Sequence, residues 1–146
     1  MTVERIPVAL QRFVRERARD RCEYCRLAQE GQEATFHVDH VVPRIRGGAT
    51  SEHNQALAFV SCSLRKGPRQ DGLDPLTGDQ HRLFHPRTDQ WDEHFKIGPD
   101  MVIEGRTEVG RKTVEIVPWN LNLSKRARRG ARLSRIWAFA LRWDLG

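Results

Sequence analysis

Asp39 and His40 are adjacent in the run Phe36-His37-Val38-Asp39-His40-Val41-Val42-Pro43, and their side chains suit hydrolysis of a phosphodiester. That reaction needs a nucleophilic water, charge stabilisation on the phosphoryl oxygens and help for the leaving 3′-oxygen. A neutral imidazole, with an ordinary pKa of about 6.5, supplies the first as general base, which makes His40 the candidate base. A carboxylate holding a divalent cation supplies the other two, which makes Asp39 the candidate metal anchor. A bare Asp-His pair is also what an exposed strand end looks like, so its surroundings decide the matter. Adjacent strand residues project to opposite faces. Asp39 and His40 can therefore serve one site only if the strand ends or bends there, which Pro43 and the loop after it permit.

Cys22-Glu23-Tyr24-Cys25 precedes this run and Cys62 follows it. Three cysteines, an odd number, with no export signal argue against a disulfide framework and for reduced thiols or metal ligands. The N-terminus, Met1-Thr2-Val3-Glu4-Arg5, lacks the apolar segment of a signal peptide, and no apolar run approaches the roughly 18 residues of a membrane span. A cytoplasmic protein with no membrane partner is the expectation. A net charge of +6 and a pI near 9.9 suit a polyanionic partner, because Lys and Arg neutralise phosphates and release condensed counterions. Charge is uneven: residues 125–135 carry Lys125, Arg126, Arg128, Arg129, Arg132 and Arg135 with no acid, whereas residues 71–93 are rich in Asp and Glu.

The elements that must position these groups are outlined by pattern. Leu10, Phe13, Val14 and Ala18 recur at helical spacing behind Pro7, predicting a helix over residues 8–21 that leads directly into Cys22. Residues 35–42 are rich in β-branched and aromatic side chains and read as a strand ending at Pro43. Residues 44–54, with Gly47-Gly48, form a loop before a second short strand over residues 56–60. A helix then starts at Ser61 or Cys62, carries Arg65 and Lys66 and ends near Gly67-Pro68, giving a β-β-α unit. Downstream, residues 72–78 have turn chemistry, Trp91 and Phe95 mark a short helix, and Met101-Val102-Ile103 a strand. Thr107 caps a helix through Val117, and Leu133, Ile136, Trp137, Ala140 and Leu141 follow the template of a terminal amphipathic helix. The fold class is α+β. At 146 residues the chain holds one modest core, and a second independent domain is not expected.

Taken together, Cys22-x-x-Cys25, Phe36 to Pro43, Gly47-Gly48, Asn54, Leu57-Ala58, Cys62 and Lys66-Gly67 resemble the HNH endonuclease family, in its Cys-x-x-Cys-flanked subtype. The resemblance covers about half the chain, from Arg21 to Phe95. It implies a ββα-metal core over residues 22–95, between an N-terminal helix in residues 1–21 and a C-terminal strand and helix extension, residues 96–146, in the same compact domain. It also implies that Asp39 binds a catalytic Mg²⁺ or Mn²⁺, that His40 deprotonates the attacking water, and that Asn54 holds the catalytic loop by hydrogen bonding. The family's final Asn or His, which completes metal coordination, falls on Ser63. A hydroxyl is a poorer ligand than an imidazole or amide, although a hard cation accepts oxygen and keeps several waters. A bound water or His85 is the alternative donor at this position.

The family's two cysteine pairs would close a tetrahedral structural Zn²⁺ site. Cys22, Cys25 and Cys62 occupy three of those positions, and the fourth, three residues before Cys62, is Phe59, which cannot bind zinc. His53, His37 or water are candidate replacements. A redox role for Cys22-x-x-Cys25 is disfavoured, because the motif follows an Arg-rich helix rather than a βαβ strand. The resemblance further places Arg44, Arg46, Arg65, Lys66 and Arg69 where they would contact a DNA backbone, against the plainer reading of a solvated basic surface. Residues 125–135 offer a second basic surface. Two functions follow: a metal-dependent DNA endonuclease, favoured by the intact Asp39-His40 pair, and a nucleic-acid-binding module with eroded metal sites, favoured by Ser63 and Phe59.

Overall fold

In a computed structural model, which describes residues 5–98 and 102–116, small antiparallel sheets alternate with short helices in an α+β arrangement. Helix α1 (Val8–Arg17) stops four residues short of the length its periodicity predicts. Ala18 is still right-handed, but Arg19 and Asp20 take positive φ angles of 55° and 54°, which turns the chain into the Cys22 knuckle. Strand β1 (His37–His40) pairs with β2 (Gln55–Ala58), with Asp39 opposite Ala56 and His40 opposite Gln55. Between them a 3-10 turn (Arg44–Arg46) closes on Gly47 in the left-handed region. Helix α2 (Val60–Lys66) follows after Phe59 and completes the β-β-α unit.

The arginines of α1 tie it to this unit. Arg15 donates to the Phe36 carbonyl at 2.9 Å, and Arg17 to the carbonyls of Gln55 at 2.8 Å and Glu52 at 2.6 Å. Beneath them Val14, Ala18, Phe36, Ala56, Leu57 and Ala58 are buried as one cluster.

Beyond α2, strands β3 (Asp71–Leu73) and β4 (Gln80–Arg82) form a hairpin around the predicted turn. Helix α3 (Trp91–His94) runs into β5 (Phe95–Ile97), which pairs with β6 (Ile103–Gly105). Helix α4 (Glu108–Ile116) begins as expected at Thr107, whose hydroxyl accepts the Gly110 amide hydrogen at 3.1 Å. Phe84, Trp91, Phe95 and Ile103 bring this half into the same core, with Phe84 and Trp91 rings 5.2 Å and 5.1 Å from that of Phe95. Two links reach the knuckle: Trp91 Nε1 donates to the Tyr24 carbonyl at 2.6 Å, and Arg87 pairs with the buried Glu23 carboxylate. The predicted terminal helix and the basic run 125–135 lie outside the described residues. Among the described residues no helix is long and apolar enough to cross a membrane.

Asp74 organises the β3–β4 turn. Its carboxylate is buried and accepts from the Leu76 amide at 3.1 Å, the Thr77 hydroxyl at 3.0 Å and Arg111 of α4 at 3.0 Å and 2.7 Å. The Arg111 guanidinium holds this carboxyl well below the usual range. A depressed pKa stabilises the fold fully above the unfolded value of about 3.9, and that stabilisation is lost as pH falls further. Asp74→Asn is therefore expected to lower Tm at neutral pH and to flatten the decline of Tm below about pH 4; thermal melts of both proteins across that range check it.

Candidate active site

The chain leaves β1 at His40 and bends through Val41 and Val42 before Pro43. A bend out of a sheet strands backbone polar groups, and buried ones must find partners. Here all four groups of Val41 and Val42 are paired. The Val41 amide donates to the Asn54 carbonyl at 2.8 Å, and the Val41 carbonyl accepts from Lys66 Nζ at 3.0 Å. The Val42 amide donates to Asn54 Oδ1 at 2.9 Å, and its carbonyl accepts from Asn54 Nδ2 at 3.0 Å. Asn54 Nδ2 also donates to Ala49 at 2.8 Å, so one buried amide closes the whole loop. Gly48 fits beneath it because a β-carbon there would run into the Val42 carbonyl and the Asn54 amide.

Because the strand stops at His40, Asp39 and His40 both line one cavity of about 290 Å³, together with Ser63, Tyr24 and Arg44. His40 Nε2 lies 2.8 Å from Thr50 Oγ1, a partner in the loop that Asn54 closes. The half-buried Asp39 carboxylate makes no hydrogen bond or ion pair among the described residues, leaving a hard oxygen donor open to a cation. Ser63 Oγ is 3.3 Å from His37 Nδ1, across from β1 on α2. His85 lines a different cavity, with Lys66 common to both, so the structure does not bring it to Ser63 in this wall. Burial lowers the His85 pKa.

Arg44, Arg46, Arg65 and Arg69 are exposed on the elements that rim these cavities. Lys66, grouped with them from its charge, is instead buried, with its ammonium on the Val41 carbonyl. Burial lowers its pKa, and the nearby Asp39 charge opposes that shift. Its place is in the scaffold of the bend as well as on the cavity wall.

Cys22, Cys25 and Cys62 are buried with their sulfurs within 4.8 Å of one another. The Cys25 amide donates to Cys22 Sγ at 3.4 Å, the turn of a metal-binding knuckle. Burial pushes the Cys22 and Cys62 thiols up, the penalty that a bound cation would reverse by favouring thiolates. Among the described residues neither His37 nor His53 joins the group; both are exposed. Phe59, at the fourth position, packs edge-on against Phe36, ring centroids 5.6 Å apart. The donor set thus fits three zinc ligands.

Three contributors escaped the sequence: Thr50, Tyr24 and Glu23. A threonine in a glycine-rich loop carries no motif. Tyr24 and Glu23 sit inside the knuckle, where Glu23 accepts the Leu57 amide at 2.8 Å and its own amide donates to the Leu57 carbonyl at 2.8 Å. Of the two x positions of Cys22-x-x-Cys25, Glu23 therefore holds the knuckle against β2, and Tyr24 holds it to Trp91 of α3. Asn54→Ala is expected to reduce stability by about 1–3 kcal/mol through the stranded Val42 groups, and Gly48→Ala to displace the same loop; urea unfolding of each variant measures this.

Residues 22–69, about a third of the chain, match a family model described as HNH endonuclease. No curated protein and no solved structure matches the chain. The matched segment runs from the first knuckle cysteine through β1, β2 and α2, the elements that surround Asp39, His40, Asn54 and Ser63. Over residues 22–69 the chain is thus similar to the HNH endonuclease family.

Proposed function

We propose that this chain is a metal-dependent endonuclease that hydrolyses phosphodiester bonds in DNA. The observation that carries the reading is the shared cavity of Asp39 and His40, two strand neighbours that would face apart without the bend at Val41. Asp39 and Ser63 are the residues that would hold a Mg²⁺ or Mn²⁺, which when bound supplies charge stabilisation to the phosphate and to the leaving 3′-oxygen. Thr50 Oγ1, 2.8 Å from Nε2, orients the His40 ring as the general base. The imidazole takes a proton from water as the water oxygen bonds to phosphorus and the P–O3′ bond breaks. Ser63, giving its hydroxyl hydrogen to His37, keeps oxygen lone pairs for the cation. Arg44, Arg46, Arg65 and Arg69 hold the strand by its phosphates without reading its sequence.

A second reading, a binding module without catalysis, is favoured by one observation: a hydroxyl stands at Ser63, where the family motif has Asn or His. Plasmid nicking with Mg²⁺ or Mn²⁺ decides between them. His40→Ala is expected to lower the nicking rate by about 10²–10⁴ with DNA binding intact; nicking that survives the substitution removes His40 from the mechanism, and DNA binding by a parent that never nicks supports the module.

We also propose that Cys22, Cys25 and Cys62 hold one structural Zn²⁺, with a water as the fourth ligand because Phe59 offers none. Elemental analysis is expected to find about one zinc per chain and its loss in Cys62→Ser. A metal-free parent would assign the trio to packing against the aromatic pair.

A further inference from the structure

Lys66 stands between two cavities. One holds Asp39 and His40; the other, of about 310 Å³, lies on its far side against Val41. That second volume is at the small end of the range, about 300–1,000 Å³, in which proteins hold compact ligands. Its wall is part apolar, where Leu83 and Phe84 are buried, and part polar, where Gln70, His85 and Thr88 reach it. An apolar plane with hydrogen-bonding groups at its edge is what a flat heterocycle requires.

The polar groups are free to do this. The Gln70 side chain, half-buried, makes no hydrogen bond among the described residues, so its amide offers both a donor and an acceptor. His85 Nδ1 accepts the Arg87 amide hydrogen at 3.1 Å, and burial keeps the ring neutral at neutral pH, which leaves Nε2–H as a donor. Charge points the same way. Asp89, the acid on this wall, is engaged by Arg82 and by the His85 amide, while Lys66 and the exposed Arg69 leave the cavity cationic. A nucleotide, with an anionic backbone and a planar base, matches both features.

We infer that this second cavity receives one unstacked base of the strand whose phosphate lies at Asp39 and His40, so that the preferred substrate is DNA with an unpaired or readily extruded nucleotide beside the cut. This rests on the reading of the neighbouring cavity as a DNA-cleaving site. Taking a base out of the stack costs a few kcal/mol, least where it is already unpaired, and that difference sets the preference. Gln70 and His85 read the base edge, and Phe84 contributes to the apolar surface it meets.

Binding and cleavage are measured separately. His40→Ala protein is titrated by fluorescence anisotropy with a labelled duplex and with the same duplex carrying a one-nucleotide bulge. Affinity for the bulged duplex is expected to be about tenfold higher or more. That preference is expected to vanish when Gln70→Trp fills the cavity and to shrink in the milder Gln70→Leu, with melting curves showing that both variants fold. Equal affinity for the two duplexes overturns the inference, as does a preference that survives both Gln70 substitutions. Parallel nicking by the protein with His40 intact keeps the two claims apart. Nicking without bulge preference leaves the nuclease reading and removes the base cavity, and bulge preference without nicking does the reverse; failure to bind either duplex overturns both.

Discussion

Pairing of the four backbone groups of Val41 and Val42 is the constraint on which the site depends. A chain that leaves a sheet inside a protein must replace the ladder bonds it abandons, or carry desolvated amides and carbonyls. Asn54 supplies three of the four partners and Lys66 the fourth. Only because these bonds exist can the strand end one residue after Asp39 and let two sequence neighbours face a common cavity. Asn54 and Lys66 hold the shape of the backbone, and the meeting of Asp39 and His40 in one cavity follows from that shape. The same bonds fix the loop in which Thr50 meets His40.

The second half of the protein supports this arrangement from below. Glu23 is buried between the Leu57 amide and Arg87, and burial together with repulsion from Arg17 pushes the Arg87 pKa down to about 10. Trp91 donates to the Tyr24 carbonyl while the Arg26 guanidinium lies 4.1 Å from its ring centroid. Each contact lands on the knuckle between Cys22 and Cys25 or just after it. The segment that presents Tyr24 to the Asp39–His40 cavity is therefore clamped from both sides, by β2 through Glu23 and by α3 through Trp91.

The sequence revealed those parts of the molecule that rest on local pattern or on ordered motifs. The β-β-α unit, its order and the Thr107 cap were legible because apolar spacing, Gly47-Gly48 and capping chemistry act over a few residues. The β3–β4 hairpin was seen only as its turn, since Gln80-His81-Arg82 has no apolar alternation and is fixed by Asp74 reaching Arg111 across the fold. Helix α1 was read four residues too long, because nothing in the periodicity shows that Arg19 and Asp20 must turn left-handed. Lys66 looked like a surface charge; its partner is a main-chain carbonyl, which leaves no mark in sequence. His40 and Asn54 stood out in the sequence through their motif, whereas Thr50 meets His40 only through loop closure and carries no motif.

Helix α2 has only seven residues, too few to be stable alone, and it exists through what it holds. Cys62 faces the knuckle, Ser63 the Asp39–His40 cavity and Lys66 the strand bend, on one and a half turns. Inserting or deleting one residue would rotate all three by about 100° together, so the length of this segment is not open to drift. Ser61, Leu64 and Arg65 are exposed between those anchors. Evolution is thus left a narrow outward stripe on which to retune what the protein grips, with the machinery behind it unchanged.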